Sequence, residues 1–306
     1  MREVLLMKTI ALLKEKGFFV ESFVHVHSCF DLAAKRHGLL FVIKVLNNID
    51  ALREEQALEL KKIAAVFSAI AIVVGEKSKS FSLKENSVYE RYSLNVLSFM
   101  GFANMLEENF PSVKFFKGKE IVELDSEKLR KRRKELGLTL EELAEKIDST
   151  TESIYRYEKG ANISLQKAEA LEDLLAASLI KKIDLFSENP LEKNVFENQI
   201  EDSALEKIRE LGVELAVFSH APFKASSSKK ESLIIAKGAN KQEIKKKAIE
   251  LRQAMHVFSS GPVILAKEFH AKTIAQVPVI EEQELESMSR FNDLKELIRE
   301  RARKSQ

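Results

Sequence analysis

Residues Leu129 to Leu175 read LRKRRKELGLTLEELAEKIDSTTESIYRYEKGANISLQKAEALEDLL. Four short helical patterns follow one another, each bounded by its own start and stop residues. Ser126 with Glu127 opens the first, with Lys128, Arg130, Lys131, Arg133 and Lys134 outward and Gly137 at its end, where a helix favours glycine. Thr139 starts the second, and Glu142 stands at capping-box spacing from it. Leu140, Leu143 and Ile147 share its buried face, and Ala144 lets another helix approach closely. Asp148 and Ser149 form the turn. Thr150 caps the third helix, whose inward residues are Ile154 and Tyr157, and Gly160 closes it. Ser164 caps the fourth, with Leu165, Ala168, Leu171 and Leu175 inside.

This order of caps and apolar positions resembles the Cro and phage-repressor family of helix-turn-helix domains, bacterial and archaeal in style. The residues that carry the resemblance are Leu129, Arg132, Leu138, Thr139, Leu143, Ala144, Ile147, Thr150, Ser153, Ile154, Arg156, Glu158 and Gly160, within roughly 50 of the 306 residues. Asp148 departs from the glycine usual in the turn; aspartate tolerates the left-handed conformation better than most residues. The resemblance implies that the third helix enters the major groove with its first residues on base edges. By position, the base-facing residues are then Thr151, Glu152, Tyr155 and Arg156, with Thr150 on a phosphate. Arginine reads guanine with two donors, and glutamate accepts from cytosine. The basic first helix, Lys128, Arg130, Lys131, Arg133 and Lys134, falls against the phosphate backbone, which supplies affinity without sequence information, and Thr139 is counted with the DNA-binding residues.

A rival reading makes the same domain a protein-bridging module, since Glu141, Glu142 and Glu145 render the second helix acidic. Composition sets outer bounds. The net charge is +2, so a nucleic-acid field is local to one face. Hydrophobic content of 45% is ample for cores, and 306 residues suit two or three domains. A single cysteine excludes a disulfide framework and fits a reducing cytoplasm. Arg2, Glu3 and Lys8 interrupt the first apolar residues, unlike a signal peptide. The longest apolar run, Ile63 to Val74, is too short to span a bilayer.

The flanks alternate helical and strand patterns. Val4–Lys16 reads as a helix, Phe19–His27 and Leu39–Val45 as strands, Ile49–Phe67 as helical and Ala69–Val74 as a strand. After residue 200 the pattern returns: Ala204–Leu211 helix, Glu214–Ser219 and Leu233–Ala236 strands, Gln242–Val257 helix, Val263–Ala266 strand. At an offset of 193, without a gap, Val20, Glu21, Val24, His27, Phe30, Leu40, Lys44, Asn47 and Leu58 meet Val213, Glu214, Val217, His220, Phe223, Leu233, Lys237, Asn240 and Leu251. That agreement reads as an internal duplication with the helix-turn-helix inserted between the copies.

Each flank resembles the core of restriction-endonuclease-like domains. The resemblance implies an acid near the second strand and, on the third, another acid two positions before a lysine, together holding a divalent metal. Asp31 and Lys44 match the first acid and the lysine, but the second acid falls on Val42. The other copy offers Lys224, Ile235 and Lys237. Neither keeps the carboxylate pair a hard cation needs. His25, His27, Cys29 and Asp31 alternate as on one face of a strand, a collinear spacing unsuited to tetrahedral zinc. There is no Walker loop, dinucleotide turn or nucleophile elbow. Ser226 to Lys230 reads as a flexible loop, Ile183 to Asn198 as a linker, and Leu294 to Lys304 as a solvated helix.

The expectation is a multidomain chain. An α/β domain (1–123) is followed by an all-α helix-turn-helix bundle (126–178), a linker (179–200) and a second, related α/β domain (201–306). It is expected to be a cytoplasmic, non-enzymatic transcriptional regulator of double-stranded DNA. It is expected to act as a homodimer without cofactor, metal or membrane, its flanks serving dimerisation or sensing, with the existence of a small-molecule effector left open. A metal-dependent nuclease guided by the helix-turn-helix is the alternative beside the bridging module.

Overall fold

Leu5, Leu6 and Leu13 lie on one face of α1 (Arg2–Glu15) and are buried. Gly17 follows at φ +77°, a left-handed turn that glycine adopts without strain. Then come β1 (Phe19–Ser22), β2 (Leu32–Arg36) and β3 (Leu39–Asn48), paired antiparallel in that order. A single turn of 3-10 helix (Ile49–Ala51) leads to α2 (Glu54–Phe67), and β4 (Ile70–Lys77) lies beside β3. Phe41, Val42, Ile43 and Val45 on β3 are all buried, the run of a strand covered on both faces. The strand expected from Phe19 to His27 stops at Ser22. The Phe23 N–H then bonds the Asp31 carbonyl, and the residues between them turn. His25, His27 and Cys29 therefore do not share a strand face.

The computed structural model describes residues 2–116, 118–186, 195–196, 200–228 and 232–303. Two compact units divide the chain: Met1–Leu46 with Ala51–Val73 and Asn189–Gln306, and Asn47–Asp50 with Val74–Glu188. Most of the expected linker, Ile183 to Asn198, lies outside the described residues.

The second unit carries β5 (Ser87–Arg91), β6 (Leu94–Ser98), α3 (Phe99–Leu106), β7 (Val113–Phe116) and β8 (Lys119–Val122). The helices α4 (Ser126–Glu135), α5 (Leu140–Lys146) and α6 (Thr151–Tyr157) follow, then β9 (Ile163–Ser164) and α7 (Leu165–Leu175). Its strands run in the order β6-β5-β7-β8-β9. Ile121 pairs with Ser164 and Val122 with Ile163, so the four helices are stitched to a sheet by a two-residue strand that the apolar periodicity does not announce.

The remainder of the first unit is α8 (Ser203–Glu210), β10 (Leu215–Val217), β11 (Ala225–Ser227), β12 (Leu233–Gly238) and α9 (Lys241–Phe258). It ends with β13 (Gly261–Ala266), β14 (Thr273–Ile274), β15 (Val277–Glu281), α10 (Glu282–Glu286) and α11 (Phe291–Arg303). The strand order is β10-β11-β12-β13-β15-β14, with β12, β13 and β15 parallel. Leu205, Ile208, Leu215, Ile235, Val263, Leu265 and Ile280 form its core. Two expectations are corrected here. Ser226 and Ser227 are buried strand residues, because each hydroxyl finds a partner: Ser226 donates to the Leu233 carbonyl (3.0 Å), and Ser227 accepts from the Leu233 N–H (2.8 Å). The last helix is not simply solvated. Leu294 is in the core, and buried Arg301 donates to the Val279 carbonyl and to Glu284.

In the first unit, β10-β11-β12-β13 repeats the neighbour order of β1-β2-β3-β4. Both α2 and α9 end in phenylalanine followed by a serine in the left-handed conformation, Ser68 and Ser259. Matched backbone bonds show that the register is not gapless. Phe23 N–H to Asp31 and Asp31 N–H to Ile43 correspond to Phe218 N–H to Lys224 and Lys224 N–H to Ile235. The offset is thus 195 at Phe23 and Phe218, 193 at Asp31 and Lys224, and 192 at Ile43 and Ile235. Lys44 then falls alongside Ala236 rather than Lys237.

The two parts of this unit pack through aromatic rings. Phe67 and Phe258, the last residues of α2 and α9, lie 4.4 Å apart between ring centroids. Phe30 meets Phe258 at 6.0 Å, and Phe67 meets Phe223 at 5.7 Å. These contacts are reciprocal, as in an isologous interface. The His27 and His220 rings lie 4.7 Å apart, and the Glu59 carboxylate accepts the N–H groups of Ser219 (2.6 Å) and His220 (2.7 Å).

Candidate nucleic-acid interface

The helix-turn-helix is built from its caps. The Asp125 carboxylate accepts the Lys128 N–H at 3.0 Å, so the first cap lies one residue before the expected Ser126. Thr139 Oγ1 accepts the Glu142 N–H at 3.1 Å, and the Glu142 carboxylate accepts the Thr139 N–H at 2.8 Å. That closes a reciprocal capping box, and the Thr139 backbone bond holds the Glu142 carboxyl below the ordinary carboxylate range. Asp148 takes φ +50° in the turn. The Lys167 ammonium binds its carbonyl at 2.9 Å, which braces a turn lacking the family's glycine. Thr150 Oγ1 accepts the Ser153 N–H at 3.2 Å, while Ser164 precedes α7 without a side-chain cap bond.

Beneath these caps Leu129, Leu143, Ala144, Ile154, Ala168, Leu171 and Leu175 form one core with Val113, Val122 and Leu124 of the hairpin side. Ile154 is fully buried in the middle of α6. It fixes the helix's rotation, and the residues flanking it, Thr151, Glu152, Tyr155 and Arg156, are left exposed together with Thr150. Lys159 places its ammonium 5.7 Å from the Tyr155 ring centroid, adding a cation to that edge which sequence reasoning did not select.

Of the basic residues expected on the first helix, Lys128, Arg130, Lys131 and Lys134 are exposed, and Lys131 stands 4.0 Å from Glu135. Thr139 is exposed at the start of α5. Arg133 requires a correction. It is 9% exposed, its guanidinium donates to Glu158 at 2.6 and 3.1 Å, and Nη1 donates to the Leu138 carbonyl at 2.8 Å. With its donors directed inward, Arg133 is a strut between α4 and the end of α6, not a phosphate ligand. Arg132 donates to the Leu175 carbonyl at 2.8 Å and so closes the end of α7.

Residues 129–181 match the family model described as helix-turn-helix, and residues 2–111 match that of a PD-(D/E)XK superfamily domain. The chain is 30% identical over 311 residues to a protein of Methanocaldococcus jannaschii, with 97% of this chain and 96% of that one covered. It is 32% identical to a protein of Thermococcus kodakarensis (97% and 95% covered) and 32% to one of Pyrococcus horikoshii (94% and 95%). Each is named "Putative HTH-type transcriptional regulatory protein". The chain belongs to this family of HTH-type transcriptional regulatory proteins. No solved structure matches it.

In this regulator family member the PD-(D/E)XK domain does not present a cation site. Asp31 is buried, and its carboxylate is taken by Arg2 (2.6 Å), Lys44 (3.2 Å) and the Val45 N–H (2.7 Å). The position of the second acid is Val42, fully buried and apolar. Burial, with the Glu59 carboxylate next, pushes the Cys29 thiol well above its ordinary range, which disfavours the thiolate a metal needs. Among the described residues no group of three or more His, Cys, Asp or Glu side chains is placed to hold a metal. The residues therefore do not fit the divalent cation of the nuclease fold. In the second α/β part the charges are reversed: Lys237 pairs with Asp202 at 2.8 Å and Glu282 at 2.9 Å. No helix among the described residues is long and apolar enough to cross a membrane.

Proposed function

We propose that the chain is a sequence-specific regulator of transcription that lays α6 in the major groove of duplex DNA. The observation that carries this reading is the joint exposure of Thr151, Glu152, Tyr155 and Arg156 over the buried Ile154. Arg156 and Glu152 read bases, Thr150 and Thr139 meet phosphates, and Lys128, Arg130, Lys131 and Lys134 supply the salt-dependent attraction. Arg133 acts only by holding α4 to α6.

We further infer that the two α/β parts are copies of one ancestral domain. The repeated strand order, the matched helix ends at Ser68 and Ser259, and the reciprocal Phe30–Phe258 and Phe67–Phe223 contacts support it. Their mutual face is consumed within the chain. A homodimer on a pseudo-palindromic operator, which doubles the few base pairs one helix-turn-helix reads, must therefore use another surface, and the α/β parts are assigned to sensing.

Footprinting on bound genomic fragments tests this reading. Discrete protected windows, with half-sites about one helical turn (roughly 34 Å) apart for a dimer, are expected. Uniform protection along every fragment contradicts it. The nuclease alternative requires plasmid cleavage on adding Mg²⁺ or Mn²⁺, lost in Asp31→Asn. The bridging alternative requires DNA affinity no better than that of an unrelated basic surface.

A further inference from the structure

A cavity of about 430 Å³ opens in the second α/β part, within the range of small-molecule sites. Three parallel strands end on it: β12 at Lys237 and Gly238, β13 just before Lys267, and β15 just before Glu282. That is the edge of an open α/β sheet at which ligands bind. Two helices begin there. Asp202 caps α8 by accepting the N–H groups of Ala204 and Leu205, and α9 starts at Lys241 behind its cap Asn240, with the Glu243 carboxylate accepting the Ala239 N–H at 2.9 Å. Each of these N-termini already faces a carboxylate of the chain, the charge a helix start favours. Gly238 lets the strand approach α9: a Cβ there would come within 2.5 Å of Ile244 Cγ1.

Beside three carboxylates, Asp202, Glu243 and Glu282, four lysines line the cavity: Lys224, Lys237, Lys247 and Lys267. Two of them are already committed. Lys237 is clamped by Asp202 and Glu282, and Lys247 pairs with Glu250 at 2.7 Å. Lys224 and Lys267 are exposed and pair with no carboxylate among the described residues. Phe218 and Phe223 complete an apolar wall, perpendicular to each other at 5.3 Å.

We propose that this cavity binds a phosphorylated small molecule of mononucleotide size. Its phosphate is held by Lys224 and Lys267, and its ring lies against the Phe218 and Phe223 wall. The site names the ligand class for the sensing role proposed above, and its test contains no DNA, so the two readings fail separately. Phe223 also touches Phe67 and Phe258, which puts the occupant one side chain from the contact between the two α/β parts.

Calorimetry on the full chain, with the four ribonucleoside 5′-monophosphates and inorganic pyrophosphate as probes, decides it. Saturable binding of at least one mononucleotide is expected. The Lys224→Ala/Lys267→Ala double variant should weaken it at least tenfold, whereas Lys245→Ala, an exposed lysine on α9 away from the cavity, should leave it unchanged. Thermal unfolding verifies that both variants remain folded. No saturable heat with any mononucleotide, binding of pyrophosphate alone, or equal weakening by Lys245→Ala would overturn the proposal. Displacement of the nucleotide by duplex DNA, lost in the double variant, would also overturn it and assign these lysines to the DNA backbone.

Discussion

Arg133 Nε donates to Glu158 Oε1 at 2.6 Å, joining the first helix of the helix-turn-helix to the end of the third. The pair is nearly buried, with side-chain exposures of 11% and 7%. Removing one partner strands the other charge in a low-dielectric place, a loss of about 3 kcal/mol or more. Arg133→Ala and Glu158→Ala should each lower the stability of the second unit by that order, and the double variant by less than their sum. A double-mutant cycle by urea unfolding measures this coupling, and strict additivity would show that the contact is not made.

Arg156→Ala has the opposite signature. The side chain is exposed, so stability should change by less than about 0.5 kcal/mol, while specific binding falls by about 1–3 kcal/mol. Fluorescence anisotropy on a selected site and its scrambled version checks it. Unchanged discrimination would remove Arg156 from the base-reading set.

Lys128, Lys131 and Lys134 meet phosphates in this account. Replacing any one by alanine should reduce the salt slope of binding by about one and weaken all sequences alike. A change in sequence preference would place that lysine on a base edge instead.

The acid limb of stability should report Asp202. Burial alone would raise its carboxyl, but the Lys237 ammonium and the backbone N–H groups of Leu205 and Ala204 outweigh it and hold it below the ordinary range. A carboxyl lowered on folding adds stability that is complete above its unfolded pKa, about 3.9. That contribution is lost as pH falls through the lower folded value. Asp202→Asn should therefore cost stability at pH 7 and flatten the profile below about pH 5, as followed by urea midpoints. An unaltered acid limb would refute the assignment.

The helix-turn-helix was legible because its determinants are local. Caps, turn glycines and a 3.6-residue apolar period lie within a few residues of one another, and Thr139, Thr150 and Asp148 adopt the conformations their chemistry implies. What was missed depends on distant partners. Arg133 reads as one more surface cation until Glu158 is brought against it. Ser226 and Ser227 read as loop until Leu233 satisfies both hydroxyls. The strand at Ile163 is two residues long and exists only because Val122 lies beside it. Unequal loops defeated the gapless register: Phe23 and Asp31 are separated by two more residues than Phe218 and Lys224. The cavity was invisible for the same reason, since Asp202, Lys224, Lys237 and Lys267 meet only when three parallel strands end side by side.

The central claim is sequence-specific DNA recognition by α6. Selection from a pool of random duplexes at near-physiological salt, followed by sequencing of the retained fraction, tests it most directly. The account expects an enriched motif, inverted if the protein pairs, whose enrichment collapses in Arg156→Ala. Retention without enrichment, vanishing as salt rises, would contradict it and leave only phosphate contacts.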